Sequence, residues 1–203
     1  MSDLQVASWV LVIPVKRTAI AKSRLAAAYP QHRPELARAF AVDTTAAALD
    51  SPLVHAILVV TDDPVVSADV TAVGARVVPD LPGGGLNEAL EHGAAIAAAE
   101  YPGLGVAALS ADLPALRPAE LSAVLAAFTA DRSFVIDQPG TGTTMLAAGP
   151  GVALDPRFGV GSALAHQASG AHPIELTSID SVRRDVDTGR EWSRVAGDPY
   201  LDR

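Results

Sequence analysis

Asp112 directly follows the run Gly105-Val106-Ala107-Ala108-Leu109-Ser110, and its position gives it a clear chemical use. Small and branched apolar residues, closed by Pro114, read as a buried strand that ends just before the acid. In an open α/β sheet, ligands sit beyond the carboxyl ends of the strands. An aspartate there can hold a hard cation against a ligand phosphate; it can equally cap the following turn. Two more carboxylates lie in Arg184-Asp185-Val186-Asp187-Thr188-Gly189-Arg190. At i and i+2 they share one side of an extended segment, and with Asp112 they could hold one or two Mg²⁺. Alternatively, Asp187 or Thr188 caps a last helix.

Positive charge is concentrated in one place. Lys16, Arg17, Lys22 and Arg24 fall within the segment Pro14 to Leu25, in a chain with 15 Lys and Arg in all. Such a loop directly after a first strand suits a triphosphate, although a solvated basic loop would look the same. It is not a Walker loop, because Gly-x-x-x-x-Gly-Lys-Ser/Thr does not occur. Pro82-Gly83-Gly84-Gly85-Leu86-Asn87 lets a ligand approach the backbone, and the Asn87 amide offers a donor and an acceptor to a base edge. The plainer alternative is a flexible loop capped by Asn87. Thr141-Gly142-Thr143-Thr144-Met145, with Arg157-Phe158-Gly159-Val160-Gly161-Ser162, brings hydroxyls and glycine amides to a helix start. That is a place for a phosphorylated or carboxylated second substrate, or a glycine turn with a serine cap. His166, four residues after Ser162, is assigned no role.

These groups need a scaffold, and composition bounds it. The 203 residues suit one domain, 49% of them hydrophobic, much of that alanine. Aromatic residues are 4% and the formal net charge is −8, which argues against a nucleic-acid surface. Cysteine is absent, so disulfides and thiolate metal sites are excluded. No signal peptide and no apolar run of membrane-spanning length is read, so a soluble cytoplasmic protein is expected.

Strands are expected at 10–15, 55–60, 76–78, 106–109, 133–136, 143–148 and 174–176, and helices at 34–48, 64–72, 86–100, 118–129 and 188–195. The alternation argues for a mostly parallel sheet covered on both faces. The two adjacent strands around Asp137 and Thr144 break it, which predicts a mixed sheet.

In this order the motifs resemble the guanylyltransferases of deazaflavin coenzyme (factor-420) biosynthesis, which act on 2-phospho-L-lactate or phosphoenolpyruvate. The resemblance rests on Ile13-Pro14-Val15-Lys16 with Ala21-Lys22-Ser23-Arg24-Leu25, Gly85-Leu86-Asn87, Ala111-Asp112-Leu113-Pro114, Gly142-Thr143-Thr144, Phe158-Gly159 with Gly161-Ser162, and Asp185-Val186-Asp187-Thr188. It implies a three-layer nucleotidyltransferase (Rossmann-like) α/β fold and a Mg²⁺-dependent reaction of GTP with a phosphorylated three-carbon acid. By the same resemblance, Asp112 is the catalytic metal ligand, with Asp185 or Asp187 as the second carboxylate. Thr144, Gly159 and Ser162 match positions that hold the acid. Lys16, Lys22 and Arg24 would take the triphosphate, with Lys22 stabilising the departing pyrophosphate, and Gly85 and Asn87 the nucleotide. The usual glycine-rich start is replaced here by Val15-Lys16-Arg17. High alanine and few lysines point to a high-GC actinobacterium, where phosphoenolpyruvate is the expected acid. Phospholactate and 3-phosphoglycerate remain alternatives, as do a sugar-phosphate or molybdenum-cofactor acceptor and a non-catalytic nucleotide-binding module. A labile product would suit direct transfer to the next biosynthetic enzyme.

Overall fold

The structure is a computed structural model that describes residues 9–16, 33–80 and 84–186. In chain order its elements are β1 (Trp9–Pro14), α1 (Arg33–Leu49), β2 (Val54–Val60), α2 (Pro64–Ala72), β3 (Arg76–Val78), α3 (Leu86–Glu100) and β4 (Gly105–Leu109). There follow α4 (Pro118–Ala126), β5 (Arg132–Ile136), β6 (Thr143–Ala148), α5 (Ser162–Ala168), β7 (His172–Pro173) and α6 (Asp180–Arg183).

The described strands form one sheet in the order β3-β2-β1-β4-β6-β5-β7. β1 runs parallel to both β2 and β4, while β6 is antiparallel to β4 and to β5. The mixed, mostly parallel sheet expected from the sequence is therefore present. β1 reads as one unbroken apolar run because it is buried on both faces. Trp9, Leu11 and Ile13 enter a core with Ala41 and Ala48 of α1, Val66 and Val70 of α2, and Leu121 and Val124 of α4. Val10 and Val12 enter the opposite core with Ala89, Leu90 and Ala97 of α3 and Ala163 of α5. Side-chain alternation along one strand thus builds both outer layers.

The helix starts are set by local chemistry. Pro64 occupies the first turn of α2, where the Asp63 carboxylate accepts from the amides of Val65 and Val66. Pro118 plays the same part in α4. Alanine and glycine let α3 lie close on the sheet: a Cβ on Gly93 would sit 2.5 Å from Val12 Cγ1 and 2.8 Å from Val60 Cγ2.

Two expectations are corrected. The last strand is His172–Pro173, with the Ile174 amide still donating to Phe134 O, rather than 174–176. α4 ends at Ala126, and Phe128 turns in against the Trp9 ring, centroids 4.7 Å apart, instead of continuing the helix to Thr129. The helix expected at 188–195 lies outside the described residues.

β6 carries an extra residue relative to β5. Phe134 and Val135 face Leu146 and Met145, but Ile136 faces Thr143, so Thr144 is the inserted residue of a β-bulge. The bulge puts Thr143, not Thr144, in register with Ile136.

Candidate active site

The chain leaves β1 for β2 on one side of the sheet and later returns to β4 on the other. The carboxyl ends of β1 and β4 therefore flank a topological switch point, where open α/β sheets bind ligands. A cavity of about 940 Å³ opens there, lined by Pro14, Val15 and Lys16 after β1 and by Ser110, Ala111 and Asp112 after β4. Its other walls are Leu86 and Leu90 of α3, Asp137, Thr141 and Thr143 around the β5–β6 hairpin, residues 158–162 before and into α5, and Asp185.

Backbone and side-chain bonds hold Asp112 in place from two directions. Thr44, fully buried on α1, accepts from the Leu113 amide at 3.0 Å and donates to Ala111 O. From the other direction the Val186 amide donates to Asp112 O at 3.0 Å, which brings Asp185 to the same cavity. α6 anchors that tail. Glu120 accepts from the Ser181 amide and hydroxyl, both at 2.8 Å, and the Ser181 hydroxyl accepts from the Arg117 amide. The Arg183 guanidinium donates to Ile136 O and Asp137 O.

The hairpin between β5 and β6 is folded around a carboxylate. Asp137 Oδ1 accepts from the amides of Gly140 and Thr141, each at 2.8 Å. Gly142 has to be glycine for this, since a Cβ there would lie 2.3 Å from Asp137 Oδ2. The Ala163 amide donates to Thr141 O, which ties the hairpin to the first turn of α5. That loop passes through Gly159 at φ +137° and Gly161 at φ +74°, conformations that favour glycine.

His166 sits behind this wall with no exposed surface. Its Nε2 accepts from the Arg157 amide at 2.9 Å, and its Nδ1 lies 2.9 Å from Thr143 Oγ1. Phe158 packs edge-on to the ring at 5.1 Å, and Phe134 lies 5.7 Å away on another side. Burial pushes the imidazole down to about 4, aided by the Arg132 and Arg157 guanidinium groups and opposed by Asp155.

Of the residues singled out in the sequence, Lys16, Asp112, Gly159, Ser162 and Asp185 line the cavity. Lys22, Arg24 and Asp187 lie outside the described residues. Thr144 is not among the described lining residues: the bulge gives that wall to Thr143, and the buried Thr144 hydroxyl has no hydrogen-bond partner among the described residues. Gly85 caps α3, its amide donating to Glu88. Asn87 is held by the backbone of a neighbouring loop. Its Nδ2 donates to Phe158 O at 3.1 Å and its Oδ1 accepts from the Phe158 amide at 2.8 Å. Both amide atoms engage the Phe158 backbone, so Asn87 clamps the loop before α5 onto α3. Thr44, Asp137, Thr143 and His166 carry no signal that isolates them in sequence. Thr143 lies inside the quoted Gly-Thr-Thr motif, and His166 sits at helical spacing from Ser162.

The fold is one shared with solved nucleotidyltransferase structures. The chain superposes on a nucleotidyl transferase from Methanothermobacter thermautotroptrophicus with a TM-score of 0.68 at 17% identity, covering 97% of this chain and 98% of that one. It superposes on a 4-diphosphocytidyl-2C-methyl-D-erythritol synthase from Anaerococcus prevotii with a TM-score of 0.62 at 11% identity, covering 97% of both. At that identity these likenesses establish the fold.

Residues 9–190 match the family described as guanylyl transferase CofC like, and the chain belongs to that family. It is 54% identical over 93% of its length to a phosphoenolpyruvate guanylyltransferase of Streptomyces scabiei, covering 90% of that protein. It is 56% identical to the enzyme of the same description from Streptomyces coelicolor, over 89% of this chain and 86% of that one.

Proposed function

We propose that this guanylyltransferase moves GMP from GTP to the phosphate of phosphoenolpyruvate, giving enolpyruvyl-diphospho-5′-guanosine and pyrophosphate in the cytoplasm. The observation that carries the acceptor is the match of more than half of all aligned residues, over nine-tenths of the chain, to the phosphoenolpyruvate guanylyltransferase of Streptomyces scabiei.

The chemistry follows from the groups at the cavity. A phosphate oxygen of the acid attacks the α-phosphorus of GTP in line; the new P–O bond forms as the bond to the β-phosphate oxygen breaks. The nucleophile is already ionised near neutral pH, so no general base is needed, and catalysis is a matter of positioning and charge neutralisation. Lys16, at the mouth of the cavity, is suited to the triphosphate, and Lys22 and Arg24 follow it in the chain. Gly159 and Ser162, with the Thr143–Thr144 segment, form the side suited to the small acid.

Asp112 and Asp185 line one cavity and are tied through the Val186–Asp112 backbone bond. Among the described residues no three His, Asp or Glu side chains cluster as a self-sufficient metal site. Two hard carboxylates fit Mg²⁺ well, since it commonly takes one or two protein carboxylates and completes its shell with phosphate oxygens and water. These two residues, with Asp187 next along the chain, would hold it. When bound it supplies charge neutralisation at the phosphates.

The test is pyrophosphate release from GTP and Mg²⁺ with phosphoenolpyruvate, 2-phospho-L-lactate or 3-phosphoglycerate offered separately, a product-consuming enzyme being present. Turnover is expected with phosphoenolpyruvate foremost. Preference for another of the three acids reassigns the acceptor; turnover with none refutes the reaction.

A further inference from the structure

His166 and Thr143 form a buried relay whose direction can be read from the donors around it. The Arg157 amide can only donate, so the nitrogen it meets at 2.9 Å, Nε2 of His166, must be unprotonated. A neutral imidazole then carries its proton on Nδ1, and Nδ1–H donates to Thr143 Oγ1 at 2.9 Å. The Thr143 hydroxyl thereby accepts from behind, and its own hydrogen is left to point elsewhere. Thr143 is itself part of the cavity wall, beside Ser162 and Gly159.

We propose that His166 is a positioning residue that fixes the Thr143 hydroxyl as a hydrogen-bond donor to an anionic oxygen of the acceptor acid. This rests on the guanylyl-transfer function proposed above. If the ring carried its proton on Nε2, Nδ1 would accept from Thr143. The hydroxyl would then turn its hydrogen away from the cavity and its lone pairs toward the anion. The Arg157 amide forbids that tautomer, and Phe134 and Phe158 hold the ring in its plane. Burial keeps the ring neutral, its pKa pushed down to about 4, so the arrangement persists wherever the reaction would be run. The bulge at Thr144 is part of the same device, because it aligns Thr143 with Ile136 and Phe134 on the face covered by α5.

The experiment compares the wild-type chain with His166→Gln, Thr143→Val, Thr143→Ser and the double variant His166→Gln/Thr143→Val, with GTP, Mg²⁺ and phosphoenolpyruvate. Glutamine keeps an acceptor for the Arg157 amide and lacks the donor at the Nδ1 position. His166→Gln and Thr143→Val should each raise KM for the acid by about tenfold to a hundredfold, the range for one hydrogen bond to a charged group, with KM for GTP within about twofold. Thr143→Ser, which keeps the hydroxyl, should recover most of the affinity for the acid that Thr143→Val loses, and the double variant should be no worse than either single one. In ¹⁵N-edited spectra of the wild type, His166 should be protonated at Nδ1. A ring protonated at Nε2, multiplicative losses in the double variant, or a His166→Gln enzyme with unchanged KM for the acid would each overturn the relay alone. A wild-type chain that turns over none of the three acids overturns the parent function and the relay with it.

Discussion

Acid should unfold this protein partly through one imidazole. An unfolded histidine titrates near 6.5, and His166 in the fold is pushed down to about 4. Between those values the unfolded chain binds a proton that the native chain refuses, so stability rises with pH across the window and is lost as pH falls through it. Above about 6.5 the contribution is complete; below about 4 both states are protonated and nothing further is lost. Integrating one proton over this range gives about 3 kcal/mol in all, of which about 2 kcal/mol disappears between about pH 7.5 and about pH 5. The cause is local: the ring has no exposed surface, and Arg132 and Arg157 lie on the side that Asp155 only partly balances. Urea unfolding of wild type and His166→Gln at several pH values isolates the effect, because every other titrating group cancels in the difference. The variant should be the less stable at pH 7.5, and the gap should close by about 2 kcal/mol by pH 5. Parallel curves for the two proteins would refute the reasoning, since they would mean that His166 is charged in the native state at pH 5.

Other changes have equally definite outcomes. Asp112→Ala should abolish pyrophosphate release while GTP still binds, because Thr44 continues to hold the backbone on either side of the position. Asn87→Ala unlatches Phe158 and should raise KM for the acid by about tenfold without changing the preference for GTP over ATP; a lost preference would return Asn87 to the base. Gly93→Ala forces a methyl group to 2.5 Å from Val12 and should cost about 1–3 kcal/mol, read as a fall of several degrees in melting temperature with turnover retained below the transition. Chelation with EDTA should stop turnover and excess Mg²⁺ should restore it; activity in EDTA would remove Asp112 and Asp185 from the role of metal ligands.

Legibility in the sequence followed the reach of the forces involved. Where a boundary is set by a residue's own backbone it was read correctly: Pro64 starts α2, Gly85 precedes α3, and residues 143–148 form β6. Where it is set by a distant partner it was not. Phe128 leaves its helix to meet Trp9, and His172 and Pro173 are a strand because Ser133 and Phe134 present an open edge. The same division runs through the site. Asp112 follows β4, Gly159 and Ser162 lead into α5 and Asp185 follows α6, so their place at the cavity is near that expected from chain order and the parallel sheet.

Asn87, Thr143 and His166 show why the rest was hidden. Asn87 lies 71 residues from the Phe158 backbone it clamps, and nothing in a first-turn asparagine distinguishes a base reader from a loop clamp. Thr143 and Thr144 are adjacent and identical in type, so the sequence offers no reason to prefer either. The preference comes from a one-residue mismatch between β5 and β6, a property of two strands paired and of neither alone. His166 lies 23 residues from Thr143 and bonds it only because that mismatch aims Thr143 toward α5. A buried, neutral histidine has the same local sequence as a surface one. Its tautomer is fixed by the Arg157 amide, a group present in every peptide unit and so invisible as a motif. The cavity-lining residues on loops after strands were legible as types and spacings; Thr143 and the residues packed behind it were not, because their aim depends on pairings across the sheet.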